Sequence, residues 1–423
     1  MRGAAFGLLA RIVAALAVFS FGVMLANVLG ASDSGLFYLA LALVSVLASL
    51  SRAGLDGSVI RFVATHLSRN ENEMAGAIYL RTVVFVGVVA LLAGLALNLG
   101  ADLLAARLFS KPELADALGG MSWVLLPMAL FMLHGQFLQA ERFVGAAVLV
   151  QTGLLPLVMT LVLVVAPPQW GLSETVWTYF GATLLTLLTA VMLIRRYSAC
   201  RPVARTAYDY RELIASARSL AVADLVNKII LPWSPVILLG LWSTAASVGL
   251  FAAANRLAVL VVFACEPVNR MLAPQMAVLW SEGEQASFFR LSRQAALLMI
   301  GASLPVALVL FIVPQTLLAL FGPEFVDAGL MVVILAAAQL FNALTGPVRS
   351  MLIMTGNERD HRLSCVASGV VMVLLCVALI PELHGVGAAL ATAAALVVNN
   401  VVAAWLVWHR LGVVPLLGRK ELQ

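Results

Sequence analysis

The 423-residue sequence predicts an all-α polytopic membrane protein of about twelve transmembrane helices, arranged as two parallel six-helix lobes. Three observations lead there. Hydrophobic residues make up 62% of the chain and charged ones only 11%, with a mean hydropathy of +1.02, whereas soluble domains carry about 25% charged residues. The apolar residues run in stretches of roughly 20, the length a helix needs to cross the bilayer core. Arginine and lysine gather in alternate connections between those stretches.

A transmembrane barrel is excluded, because its strands of about ten residues would alternate apolar with polar, and no such alternation occurs. The predicted spans are 12–30, 35–60, 76–99, 118–140, 144–166, 174–194, 213–241, 246–272, 294–314, 327–353, 363–381 and 384–408. The first follows Arg2 and Arg11. It is longer than the 7–15-residue core of a secretory signal, so it reads as an uncleaved helix.

With the N-terminus inside, the cytoplasmic connections and nearby helix ends hold Arg61, Arg69, Arg142, Arg195, Arg196, Arg201, Arg205, Arg211, Arg218, Arg290, Arg293, Arg359, Arg362, Arg410, Arg419 and Lys420, while the outward ones hold Arg107 and Lys111. The positive-inside rule then places both termini in the cytoplasm. The basic stretch 197–212 reads as a cytoplasmic linker between an N-terminal lobe, 1–196, and a C-terminal lobe, 213–423.

An internal repeat supports that division. Gly35-Leu36-Phe37 opens the second span and Gly249-Leu250-Phe251 opens the eighth, 214 positions further on. Phe109, Pro112 and Glu113 precede the fourth span; Phe321, Pro323 and Glu324 precede the tenth at nearly the same offset. Six spans per repeat give both halves one orientation, related by a pseudo-two-fold axis along the membrane normal.

The stretch from Gly30 to Tyr38, followed by Arg52-Ala53-Gly54-Leu55-Asp56 and Arg61-Phe62-Val63-Ala64, resembles the opening of bacterial polysaccharide-precursor flippases. Thr355-Gly356-Asn357-Glu358 after the tenth span extends the likeness along the chain. This family, which includes O-antigen flippases, belongs to the multidrug/oligosaccharidyl-lipid/polysaccharide exporter superfamily. The resemblance implies a transporter of the bacterial inner membrane. It would flip a polyprenyl-diphosphate-linked oligosaccharide, such as a lipopolysaccharide precursor, to the periplasmic leaflet by alternating access. The implied partners are the lipid-linked oligosaccharide, membrane lipids and polysaccharide polymerase machinery, with no nucleic acid. The alternative is a cation-coupled multidrug or small-solute antiporter of the same superfamily. Those exporters use an acidic residue in first-half helices, and the first span offers only Asn27.

Charges at membrane depth are the candidate site. Lys228, one of three lysines, lies about 15 residues into the seventh span, roughly 22 Å along it. The ring of Pro232 opposes the carbonyl of Lys228 and removes a hydrogen bond; Pro235 follows. A discontinuous helix beside a buried cation suits an anion, although Lys228 could instead serve only to neutralise Asp224 one turn earlier. Arg256 lies about 11 residues into the eighth span. The repeat-equivalent positions of the two cations are Ala14 and Ala42, so the charge is confined to one half. Lys228 and Arg256 are therefore the expected cationic cavity for a pyrophosphate or acidic sugar.

Arg52 and Asp56 are four apart, as are Glu266 and Arg270, at the same offset of 214 with the signs reversed. Each pair can close on itself. Across a two-fold axis, Arg52 could instead face Glu266 and Asp56 face Arg270, forming an inner gate. His134, Gln136, Gln139, Gln151, Gln339, Asn342, Asn399 and Asn400 are other polar residues of the spans and suit helix packing. Cys200, Cys265, Cys365 and Cys376 lack C-x-x-C spacing and read as small hydrophobes, with no disulfide or metal role. No phosphate-binding loop, zinc-protease motif or nucleophile triad occurs, so neither an enzyme nor a cofactor is expected. A membrane glycosyltransferase would need large external loops bearing acids, and the predicted outward loops are short.

Overall fold

The structure, a computed structural model, describes residues 2–198, 211–213, 224–263, 265–414 and 418–419. Most of the expected linker (199–210, with Cys200) and 214–223 of the seventh predicted span lie outside the described residues. The protein is an all-α membrane protein. Among the described residues, 9 helices are long and apolar enough to cross a membrane, or up to 10 when the bent pair Leu114–Ser122 and Leu125–Ala140 (49°) is taken as one span. Two of these long helices are themselves two helices joined at a kink.

The chain divides into two compact units, Met1–Ile229 and Ile230–Gln423. In the first, α1 (Arg2–Ser51) kinks at Gly30, where φ is 69° and ψ −174°. An L side chain is strained at such a φ, and glycine is not. Then come α2 (Leu55–Ser68), α3 (Asn72–Leu103), α4 (Leu114–Ser122), α5 (Leu125–Ala140), α6 (Val144–Val148), α7 (Leu154–Val164) and α8 (Leu172–Tyr197). Short π-helical stretches follow α3 at Leu104–Leu108 and α6 at Leu149–Gly153, and a third spans Leu225–Ile230. The predicted span 118–140 is thus two helices, bent near Trp123.

Aromatic rings tie the first unit together. Phe37 is fully buried and meets Phe21 edge-on at 6.1 Å and Tyr179 edge-on at 5.3 Å, while Phe21 stacks on Tyr179 at 6.2 Å. These contacts join both halves of α1 to α8 and add about 0.5–1.5 kcal/mol per pair beyond burial.

The second unit holds α9 (Leu231–Trp242), α10 (Ala245–Val259), α11 (Cys265–Ser281), α12 (Gln285–Ile312), α13 (Pro314–Leu318), α14 (Gly329–Thr345), α15 (Val348–Met354) and α16 (Glu358–Leu411). The helix α16 is kinked at His384 (φ 49°, ψ −124°), the first residue of the twelfth predicted span. A small antiparallel pair, β1 (Val413–Val414) and β2 (Gly418–Arg419), follows it. Phe288, Met276, Leu272, Met351, Leu406 and Val407 form one core cluster from α11, α12, α15 and the second half of α16. Cys265, Cys365 and Cys376 are buried free thiols.

Candidate functional site

The sequence predicts one helix, 35–60, carrying both Arg52 and Asp56. It is interrupted between them. The helix α1 ends at Ser51, and Ala53 (φ 47°) and Gly54 (φ 73°) both take left-handed conformations before α2 begins at Leu55. The turn is closed by the amides of Ala53 and Leu55, which donate to the carbonyls of Leu50 (2.9 Å) and Arg52 (2.8 Å). Gly54 takes this φ freely, whereas Ala53 holds it at a cost of about 1–2 kcal/mol. The turn sets Asp56 against the arginine that precedes it.

Arg52 and Asp56 are both buried, at 7% and 5% exposure. Arg52 Nε donates to Asp56 Oδ1 at 3.0 Å and to Oδ2 at 3.3 Å. Its Nη1 donates to the Ala48 carbonyl at 3.0 Å and its Nη2 to Ser49 Oγ at 3.2 Å. The self-closed pairing of Arg52 with Asp56, one of the two readings of the sequence, is therefore formed here.

Asp56 also holds Lys228, whose Nζ donates to Asp56 Oδ2 at 2.8 Å and to Asp224 Oδ2 at 2.9 Å. Arg52, Asp56, Lys228 and Asp224 form a chain of alternating sign and zero net charge within the first unit. A buried carboxylate flanked by two cations avoids the large penalty of an unpaired charge. Lys228 sits in the π-helical stretch Leu225–Ile230, immediately before α9 with Pro232 at its second position. The i→i+5 pattern of a π-helix relieves the conflict between the proline ring and the carbonyl four residues before it.

A cavity of about 260 Å³ opens beside this chain, lined by Ser49, Leu50, Ala53, Gly54, Asp56, Asp224, Leu225, Lys228 and Ile229. An ammonium carries three donors. Two of those on Lys228 are engaged, and its side chain is 36% exposed, so a third N–H is available to an anion entering the cavity.

The other expected residues are placed separately. Arg256 lies half-buried on α10 in the second unit. Glu266 and Arg270 fall within α11, and their side chains lie outside the described residues. Among the described residues, no three His, Cys, Asp or Glu side chains gather where a metal ion could sit.

Two buried polar contacts were not singled out from sequence. His134 Nδ1 lies 2.7 Å from the Leu130 carbonyl, and its Nε2 lies 3.0 Å from Tyr79 Oη. A carbonyl only accepts, so Nδ1 carries the proton and Nε2 accepts from the tyrosine hydroxyl. The contact of Asp56 with Lys228 joins residues 172 positions apart, and no local spacing could have signalled it.

The fold is one shared with solved MurJ and MATE transporters. The chain matches the lipid II flippase MurJ in an inward closed conformation with a TM-score of 0.76 at 10% identity, covering 95% of this chain and 87% of that one. It matches an inward-facing multidrug resistance MATE transporter with a TM-score of 0.73 at 15% identity, covering 96% and 97%. The Vibrio cholerae MATE transporter VcmN in its bent form matches at 0.61 and 15% identity, covering 97% and 96%. At these identities the likeness is one of fold. The family model described as "Polysaccharide biosynthesis protein" matches residues 1–280, about two thirds of the sequence, and the chain belongs to that family. No curated protein sequence matches it.

Proposed function

We propose that this polysaccharide biosynthesis protein flips a polyprenyl-diphosphate-linked oligosaccharide, an O-antigen type of precursor, from the cytoplasmic to the periplasmic leaflet of the bacterial inner membrane. Alternating access of two six-helix lobes, 1–196 and 213–423 joined by the linker 197–212, would carry it. Counting each kinked helix, Arg11–Ser51 and Glu358–Leu411, as two spans raises the ten candidates to twelve. The arginine bias supports cytoplasmic termini.

The observation that carries the reading is Lys228 at the edge of the 260 Å³ cavity, with part of its ammonium exposed and its charge balanced by Asp56 and Asp224. A diphosphate would add to that ammonium or displace one carboxylate from it, and Arg256 would supply a second, bidentate contact. From the sign-reversed repeat, a feature of the sequence, we further infer that Arg52 and Asp56 exchange their present partners for Glu266 and Arg270 in another state of the cycle. The MATE likeness favours an antiporter as the second reading, but the first span offers no carboxylate, and its Asn27 amide donates to the carbonyl of Val23 and brings no charge.

Lys228→Ala and Arg256→Ala should each abolish delivery of lipid-linked oligosaccharide to the outer leaflet at unchanged membrane abundance, and Lys228→Arg should retain part of it. Normal delivery by the Lys228→Ala/Arg256→Ala double variant would refute the cationic site.

A further inference from the structure

We propose that the second unit seats the phosphate of an anionic phospholipid in a polar recess at the start of α16, apart from the Lys228 cavity and independent of what the protein transports. The recess has a volume of about 320 Å³, and its walls include Arg359, Arg362 and Arg410 with Glu358 and Asp360. Three cations against two anions leave one positive charge in excess. Asp360 is already committed: Arg410 Nε donates to its Oδ2 at 2.8 Å and Nη2 approaches its Oδ1 at 3.4 Å. Arg359 and Arg362 form no ion pair among the described residues, and Arg359 is exposed. Two uncommitted guanidiniums beside a fixed one suit a phosphate, which guanidinium binds in bidentate fashion.

The surroundings identify the phosphate as a lipid's. Arg359 heads a stripe on α16 that continues through Leu363, Val366, Val370 and Val377, at spacings of three, four or seven, all between 37% and 54% exposed. From Leu363 to Val377 the stripe runs about 21 Å along the helix, longer than the roughly 15 Å of hydrocarbon in one leaflet. One helix face therefore offers a cation at its head and an apolar track beneath it. Trp405 and Trp408, 54% and 41% exposed, lie within five residues of Arg410, and Trp405 stacks on His409 with an interplanar angle of 7°. Exposed tryptophans mark the headgroup level of a bilayer, where basic pockets at helix ends take anionic headgroups.

The test is native mass spectrometry of the full-length protein titrated with phosphatidylglycerol, phosphatidylcholine or inorganic phosphate. Phosphatidylglycerol should be retained over phosphatidylcholine. Arg359→Gln/Arg362→Gln should lower that retention on the order of tenfold, at an unchanged melting temperature. Should the double variant melt lower, Arg359→Gln alone, at an exposed position, must still show a reduced preference. Undiminished retention in both variants, or equal retention of the two lipids by the wild type, would overturn the site. Displacement of the lipid by millimolar inorganic phosphate would overturn the lipid assignment in favour of a free anion.

Discussion

Lys228 and Asp56 meet at 2.8 Å although 172 positions separate them. The carboxylate that receives the lysine is the same one that Arg52 grips from the preceding helix end, so Asp56 is the shared member of two ion pairs. Its environment differs sharply from that of the lysine's other partner: the Asp56 side chain is 7% exposed and that of Asp224 is 29% exposed.

This difference predicts unequal effects of removing each acid. Asp56→Ala strands two cations beside a buried position and should cost about 3–5 kcal/mol. Asp224→Ala removes a partly solvated partner and should cost below about 1 kcal/mol. Thermal unfolding of the detergent-solubilised variants reads the difference, and equal losses would show that Asp56 is not the anchor.

A second prediction concerns the exchange of partners at the gate. If the proposed exchange of partners takes place, Arg52→Glu should impair transport, because it sets an acid beside Asp56 and would set one against Glu266 in the exchanged state. Adding Glu266→Arg should restore part of the lost rate, and exchanging Asp56 and Arg270 as well should restore more. Absence of recovery in both combinations would leave Arg52 and Asp56 as a self-contained pair.

The histidine network gives a third. Tyr79→Phe deletes the hydroxyl that donates to His134 Nε2 and leaves a buried acceptor without that donor. The expected loss is about 1–3 kcal/mol, read as a lower melting temperature with transport retained at permissive temperature. An unchanged melting point would mean that the imidazole has another donor.

Topology supplies a fourth. Reporter fusions at Gln423 and near Pro202 should be active only with a reporter that works in the cytoplasm. Periplasmic activity at either position would overturn the span count together with the repeat.

Much of this architecture is legible in the sequence, because membrane spans announce themselves by length and by their breaks. The first predicted span ends at Gly30, where the helix kinks, and the eleventh and twelfth are divided at His384. Pro232 signals the irregular backbone at Lys228, which takes the form of a π-helix. The turn at Ala53 and Gly54 is less legible: an alanine at φ 47° goes against its own preference, so local propensity favours a continuous helix there. The meeting of Lys228 with Asp56 has no periodic trace, since tertiary folding alone brings the two segments together.

The single-residue joints at Gly30 and His384 also bear on how the chain enters the bilayer. On each side of such a joint the chain is helical without an intervening loop. Each pair of helices therefore has to be accommodated in the bilayer with no loop between its members. An epitope or protease site engineered into either joint would interrupt a continuous run of helix, whereas one inserted beside a retained Gly356 (φ 79°, a conformation glycine favours) would fall in a turn between Val348–Met354 and Glu358–Leu411.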